Sequence, residues 1–180
     1  MNLHLTYKKR TEPEKLVILS LLNTRMELSE KDVQEYASLK KGFEGEVMFD
    51  ELTEKLQCDC FILNDLLFKF NNTLFQIDSM IIFSDKIYFY EVKNFEGDHF
   101  YESDRLYKTP NYEYNNPLHQ INRSESLLRQ MLQNIGYPFP LEANVVFINP
   151  EFTMYQAPLK KPFIYPTQVK SYLKKLEATL

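Results

Sequence analysis

Hydrophobic and polar positions divide the chain into helical ends around a strand-rich centre. Thr11-x-x-Glu14 has the spacing of a capping box and precedes the apolar run at 16–22, which predicts a short helix. Ser29-x-x-Asp32 marks a second helix start. Over residues 41–57, Phe43, Val47, Met48, Leu52 and Leu56 supply the apolar positions of a further helix. Residues 61–70 and the two runs within 74–94 then predict three consecutive strands in an antiparallel meander. Residues 97–115 are polar and tyrosine-rich without periodicity, and predict a loop of functional length. Asn116-Pro117 opens a helix whose apolar face is Ile121, Leu127, Leu128, Met131, Leu132 and Ile135, and Gly136 ends it. Residues 143–148, apolar but for Asn144, predict a short buried strand. Residues 152–166 are punctuated by proline, and a basic-faced helix at 167–176 follows.

The expected fold class is therefore α/β (α+β), in the order helix, three strands, helix, strand. Three regions are expected: an N-terminal helical extension at 1–41, a core at 42–150, and a C-terminal extension at 151–180 whose helix packs on the core. Two glycines, Gly42 and Gly45, fall inside the helical stretch at 41–57. Glycine costs about 1 kcal/mol in a helix interior, so it marks a boundary or a close backbone approach.

Composition changes this picture little. With 180 residues, 44% hydrophobic and 26% charged, the chain has the balance of an ordinary soluble domain. The formal net charge of −4 argues against a broad electrostatic grip on nucleic acid. Any such contact would come from local patches or from a metal offsetting acidic residues. The patches Lys8-Lys9-Arg10, Lys160-Lys161 and Lys170, Lys174, Lys175 each read as solvated faces. The apolar run at 16–22 is far short of the ~20 residues that span a bilayer, and no cleavage pattern follows it. No membrane partner is expected. Cys58 and Cys60 are too close to staple a loop and lack a zinc-completing cluster, so they read as free thiols of a reducing cytoplasm.

Candidate chemistry concentrates in residues 74–94, LFQIDSMIIFSDKIYFYEVKN. Period-two alternation puts Gln76 with Asp78 and Glu91 with Lys93. A loop of even length, Ser84-Asp85 or residues 83–86, pairs Asp78 with Glu91 and Gln76 with Lys93, with Cβ atoms about 5 Å apart. An odd loop would put them on opposite faces. In the even register these polar groups share a surface with Met80, Ile82, Ile87 and Phe89, where charge costs several kcal/mol unless compensated. A divalent cation beside the lysine would compensate it, and so would an ordinary Asp–Lys or Glu–Lys ion pair, which the hairpin alone favours. Glu46 lies near the apolar arc of its helix; a site carboxylate and a residue favoured by the helix dipole fit it equally. Gln120, off the main apolar stripe, and His99, without a ligand partner, carry no signal of their own.

Taken together, GFEGE (42–46), QID (76–78), EVKN (91–94) followed by Gly97, and NPLHQ (116–120) resemble the NERD, or nuclease-related, domain over roughly residues 42–150. That resemblance implies a branch of the PD-(D/E)xK nuclease superfamily, with a restriction-endonuclease-like α-β-β-β-α-β core and a mixed central sheet. It implies Asp78, Glu91 and Lys93 as the two half-motifs, with Glu46 and Gln120 completing the catalytic set. Ile77 stands where the superfamily's name-giving proline would be. The implied cofactor is Mg²⁺ or Mn²⁺, which needs only one or two carboxylates besides water and substrate phosphate. Asp78, Glu91, the carbonyl of Val92 and Glu46 are its candidate ligands. Lys93 would orient or activate the attacking water. Gln76 and Asn94 would hold the ligands in place.

The leading expectation is a metal-dependent nuclease acting on nucleic acid, with DNA processing or defence as its setting and a homodimer as a possible form. A non-catalytic nucleic-acid-binding or scaffolding module with the same fold is the alternative, favoured by the acidic net charge. A carboxylate-pair glycosidase ranks last because it leaves Lys93 without a role.

Overall fold

The structure is a computed structural model and describes residues 4–178. The chain opens with β1 (His4–Lys8), α1 (Glu14–Asn23) and α2 (Glu30–Thr53). A meander of β2 (Cys60–Phe70), β3 (Thr73–Ile82) and β4 (Ile87–Lys93) follows, then β5 (Gly97–Glu102), β6 (Arg105–Lys108) and β7 (Tyr112–Tyr114). After α3 (Pro117–Asn134) come β8 (Leu141–Phe147), β9 (Phe152–Tyr155), β10 (Phe163–Ile164) and α4 (Val169–Ala178). No helix among the described residues is long and apolar enough to cross a membrane.

Six strands form the main sheet in the order β1-β2-β3-β4-β8-β10. The meander is antiparallel as expected, while β1 on β2, β8 on β4 and β10 on β8 are parallel, so the sheet is mixed. A parallel neighbour needs a crossover, and α3 supplies the one from β4 to β8. Each face of the sheet is covered. On one, Phe49 of α2 and Val169, Leu173 and Leu176 of α4 pack against Ile62, Ile81, Tyr90 and Val92. On the other, Leu118, Ile121 and Leu128 of α3 pack against Met80, Phe89, Val145 and Phe147.

Three expectations need correction. Residues 97–115 are strands β5, β6 and β7, which join β9 in a second, four-stranded sheet. These strands are only three to six residues long, and β5 and β6 turn on Ser103 and Asp104, both at positive φ. Such short runs carry too few alternations to separate strand from loop. The capping box at Thr11 does not form: Pro13 is the N-cap of α1 and no side chain caps it. Met48, expected on the apolar face, is exposed.

The helix starting at Ser29, whose hydroxyl accepts from the Asp32 N–H, runs unbroken for 24 residues through 41/42. The seam expected between extension and core therefore lies inside α2, and residues before it add β1 to the sheet. Gly42 faces open space, so it marks no boundary. Gly45 is a close approach. A Cβ there would meet the Cβ of Asn94 at 2.4 Å and Ile148 at 3.2 Å. The missing side chain lets α2 lie directly on the ends of β4 and β8, where the candidate residues are.

These two glycines give a paired prediction for chemical denaturation. Gly45→Ala loses about 1–3 kcal/mol through overpacking, whereas Gly42→Ala gains up to about 1 kcal/mol from helix propensity. Equal responses would mean that the helix does not depend on contact at Gly45.

Candidate active site

The β3–β4 loop is the four residues 83–86, closed by Ile82 opposite Ile87. The loop is thus of even length, and the paired register ends at Ser79 opposite Tyr90; past it Asp78 meets β4 through its side chain, whose Oδ2 accepts from the Val92 N–H. Asp78 and Glu91 are only 6% and 4% exposed. Met80, Ile87 and Phe89 share one core with Ile82 packed on it, as the even register requires.

Beyond Ser79 the strand departs from simple alternation. The β2–β3 ladder passes from Asn64–Ser79 to Leu66–Ile77 and skips Asp65 and Asp78. Asp65 is left-handed, with φ of 53°. Ile77 and Met80 consequently face the same core although they are three residues apart. The irregularity frees the Asp78 carbonyl from the ladder, and Arg10 Nη2 donates to it at 2.6 Å.

Every sequence-predicted site residue lines one cleft of about 410 Å³: Glu46, Gln76, Asp78, Glu91, Val92, Lys93, Asn94 and Gln120. Its remaining wall includes Lys41, Lys108, Phe95 and Tyr114. Asp78 Oδ2 accepts from the Val92 N–H at 2.8 Å, and Lys93 Nζ donates to Glu91 Oε1 at 2.5 Å. Gln76 is tied outward to Asp65 at 3.1 Å. Asn94 donates to the Lys41 carbonyl at 2.7 Å and accepts from Asn149 at 2.9 Å, so it pins α2 to the strand ends. Gln120, in the first turn of α3, is exposed at the rim between this cleft and a neighbouring groove that carries His119 and Arg123.

Two residues escaped the sequence reading. Arg10, grouped there with a solvated patch, has a side chain only 4% exposed and bonds Glu46 and Asp50. Asp50 is buried one turn after Glu46. The spacing of Asp50 from Glu46 was a usable signal. Nothing in the sequence placed Arg10, because its position depends on β1 joining the sheet edge.

Electrostatics mark the cleft as short of positive charge. Burial first, and the neighbouring Asp78 second, push the carboxyls of Glu46 and Glu91 up to about 7. Asp78 is also raised by burial, against the pull of the Val92 N–H and Lys93. Among the described residues no three His, Cys, Asp or Glu side chains form a ready-made cation cage. The donor set still suits Mg²⁺ or Mn²⁺, which take one or two carboxylates and keep their waters. Asp78 and Glu91, with the Val92 carbonyl between Glu91 and Lys93 in sequence, offer that set.

Comparison with known proteins bears on this cleft. No curated protein matches the chain. Among solved structures, the crystal structure of protein VC1899 from Vibrio cholerae aligns with a TM-score of 0.43 and 12% identity, over 92% of this chain and 50% of that one. The chain thus spans about half the length of that protein. The family model described as the nuclease-related domain matches residues 41–148, a stretch that carries every predicted site residue and leaves Arg10 outside. Matched over more than half its length, the chain belongs to the NERD, or nuclease-related domain, family.

Proposed function

We propose that this protein is a phosphodiesterase that cleaves nucleic acid with a bound Mg²⁺ or Mn²⁺. The observation that carries this reading is that buried Asp78 and Glu91, from adjacent strands, line one open cleft with Lys93 bonded to Glu91. Asp78, Glu91 and the Val92 carbonyl would hold the cation. When bound, it supplies Lewis acidity toward a phosphate oxygen and lowers the pKa of a coordinated water. Lys93 Nζ, two residues from Glu91 on the same strand face, would orient the attacking water or meet developing charge on the phosphate. Gln120 stands at the rim, where its amide can hold a substrate phosphate. Phe95 and Tyr114 stack at 4.6 Å in the cleft wall, a surface suited to a nucleobase. Lys108 adds local positive charge to the wall, where Lys41 is paired with Glu96 at 2.6 Å.

DNA is the favoured substrate class, in processing or defence. One observation supports a second, non-catalytic reading: Lys93 and Glu91 already satisfy each other as an ion pair. The two are separated by incubating the protein with Mg²⁺ or Mn²⁺ and single-stranded, duplex, nicked and flapped DNA and RNA. The phosphodiesterase reading predicts cleavage of at least one substrate. Asp78→Asn abolishes it, and Lys93→Ala lowers the rate about 10²–10⁴-fold with the circular dichroism spectrum unchanged. All substrates remaining intact, with salt-sensitive binding indifferent to Glu91→Ala, would favour the binding module instead.

The raised carboxyls set a pH dependence. Glu46 and Glu91 titrate near 7 in the fold against an ordinary 4.5, so the folded state binds more protons between those values. The contribution of these two groups to stability is therefore full below about 4.5 and is lost as pH rises through about 7. Thermal melting in a chelator should show the protein losing on the order of 1–3 kcal/mol from pH 5 to pH 8. Mn²⁺ should raise the melting temperature more at pH 8 than at pH 5, because ligation needs ionised carboxylates. Melting that is insensitive to pH and to Mn²⁺ would contradict the proposed ligand set.

A further inference from the structure

Arg10 is the most withdrawn cation around the cleft, with a side chain 4% exposed against 22% for Lys93. It follows β1, outside the stretch matched by the family model. Its guanidinium forks onto Asp50, with Nε to Oδ2 at 2.9 Å and Nη2 to Oδ1 at 3.2 Å. Nη1 donates to Glu46 Oε2, and Nη2 also reaches the Asp78 carbonyl at 2.6 Å. Four oxygens thus converge on one cation, three from carboxylates and one from the backbone. Glu46 and Asp50 are one helical turn apart, so α2 presents both to the same point.

That donor set is the chemistry of a hard divalent cation: carboxylate oxygens plus a main-chain carbonyl. A guanidinium satisfies it differently. Its charge is permanent, its planar fork matches a carboxylate, and it needs no metal from solution. Resting on the phosphodiesterase reading above, we propose that Arg10 is a built-in substitute for a second divalent cation. It fills the seat formed by Glu46, Asp50 and the Asp78 carbonyl, and it keeps Glu46 out of the metal's ligand set. The centre is then a one-metal site at Asp78 and Glu91. Arg10 is a positioning residue in this scheme. Through the carbonyl bond it fixes the backbone of the same residue whose carboxylate meets the metal.

The test counts bound Mn²⁺ by electron paramagnetic resonance during titration of the full chain. The wild type binds one Mn²⁺, and Glu46→Gln still binds one with affinity within about 3-fold, less than the 10–100-fold typical of losing even an outer-shell partner. Arg10→Gln binds two, and the second disappears in the double variant Arg10→Gln with Glu46→Gln. Two ions on the wild type would overturn the proposal, as would a single ion on Arg10→Gln. So would a loss of affinity beyond about 10-fold in Glu46→Gln, the mark of a lost ligand. Should Arg10→Gln lose its near-ultraviolet dichroism and fail to fold, the Glu46→Gln titration decides alone. No Mn²⁺ on the wild type would refute the phosphodiesterase reading itself, and this inference with it.

Discussion

Asp78 and Glu91 are withdrawn from water on neighbouring antiparallel strands. Isolated there, each charge would cost several kcal/mol. Much of the architecture around them supplies compensation. Lys93 lies two residues along the strand from Glu91 and bonds it. The Val92 N–H turns to the Asp78 carboxylate. Arg10 comes in from the sheet edge to the Asp78 carbonyl. These contacts do not fully offset the burial, since Glu46 and Glu91 still rest near 7. In the proposed reading, acids held near neutrality would exchange protons for a cation.

The backbone makes that arrangement possible at two places. At Gly45 the absence of a Cβ lets α2 touch Asn94 and Ile148, which brings Glu46 and Asp50 down to the strand ends. At Asp65 the left-handed residue interrupts the β2–β3 ladder opposite Asp78 and leaves that carbonyl for Arg10. Both are departures from regular helix and sheet, where helix propensity and ladder pairing are given up for a contact at the candidate site. The polar groups of Asn94 finish the join by bonding α2 on one side and Asn149 on the other.

Much of the core could be read from the chain because its signals are local. The alternation in residues 74–94, the N-cap at Asn116 and the apolar run in β8 each act within a few residues. Whether Asp78 and Glu91 could share a face turned on the parity of one loop, which the sequence left open and which is even at four residues, while their expectation as a site came from the family resemblance. What escaped depends on distant partners. β1 is a strand only because β2 offers it an edge, and Arg10 follows from that pairing. The second sheet joins β5 to β9 across some fifty residues, with strands too short to announce themselves. Asp50 was open to notice, since it repeats Glu46 one turn later beside buried Phe49.

The central claim, that Asp78 and Glu91 are a cation's ligands, is tested most directly by anomalous diffraction from a Mn²⁺-soaked crystal. The account predicts one peak in the cleft, about 2.0–2.3 Å from carboxylate oxygens of both Asp78 and Glu91, with Arg10 still seated on Glu46 and Asp50. A cleft without a peak, or a peak ligated by Glu46 and Asp50 in place of Arg10, would contradict it.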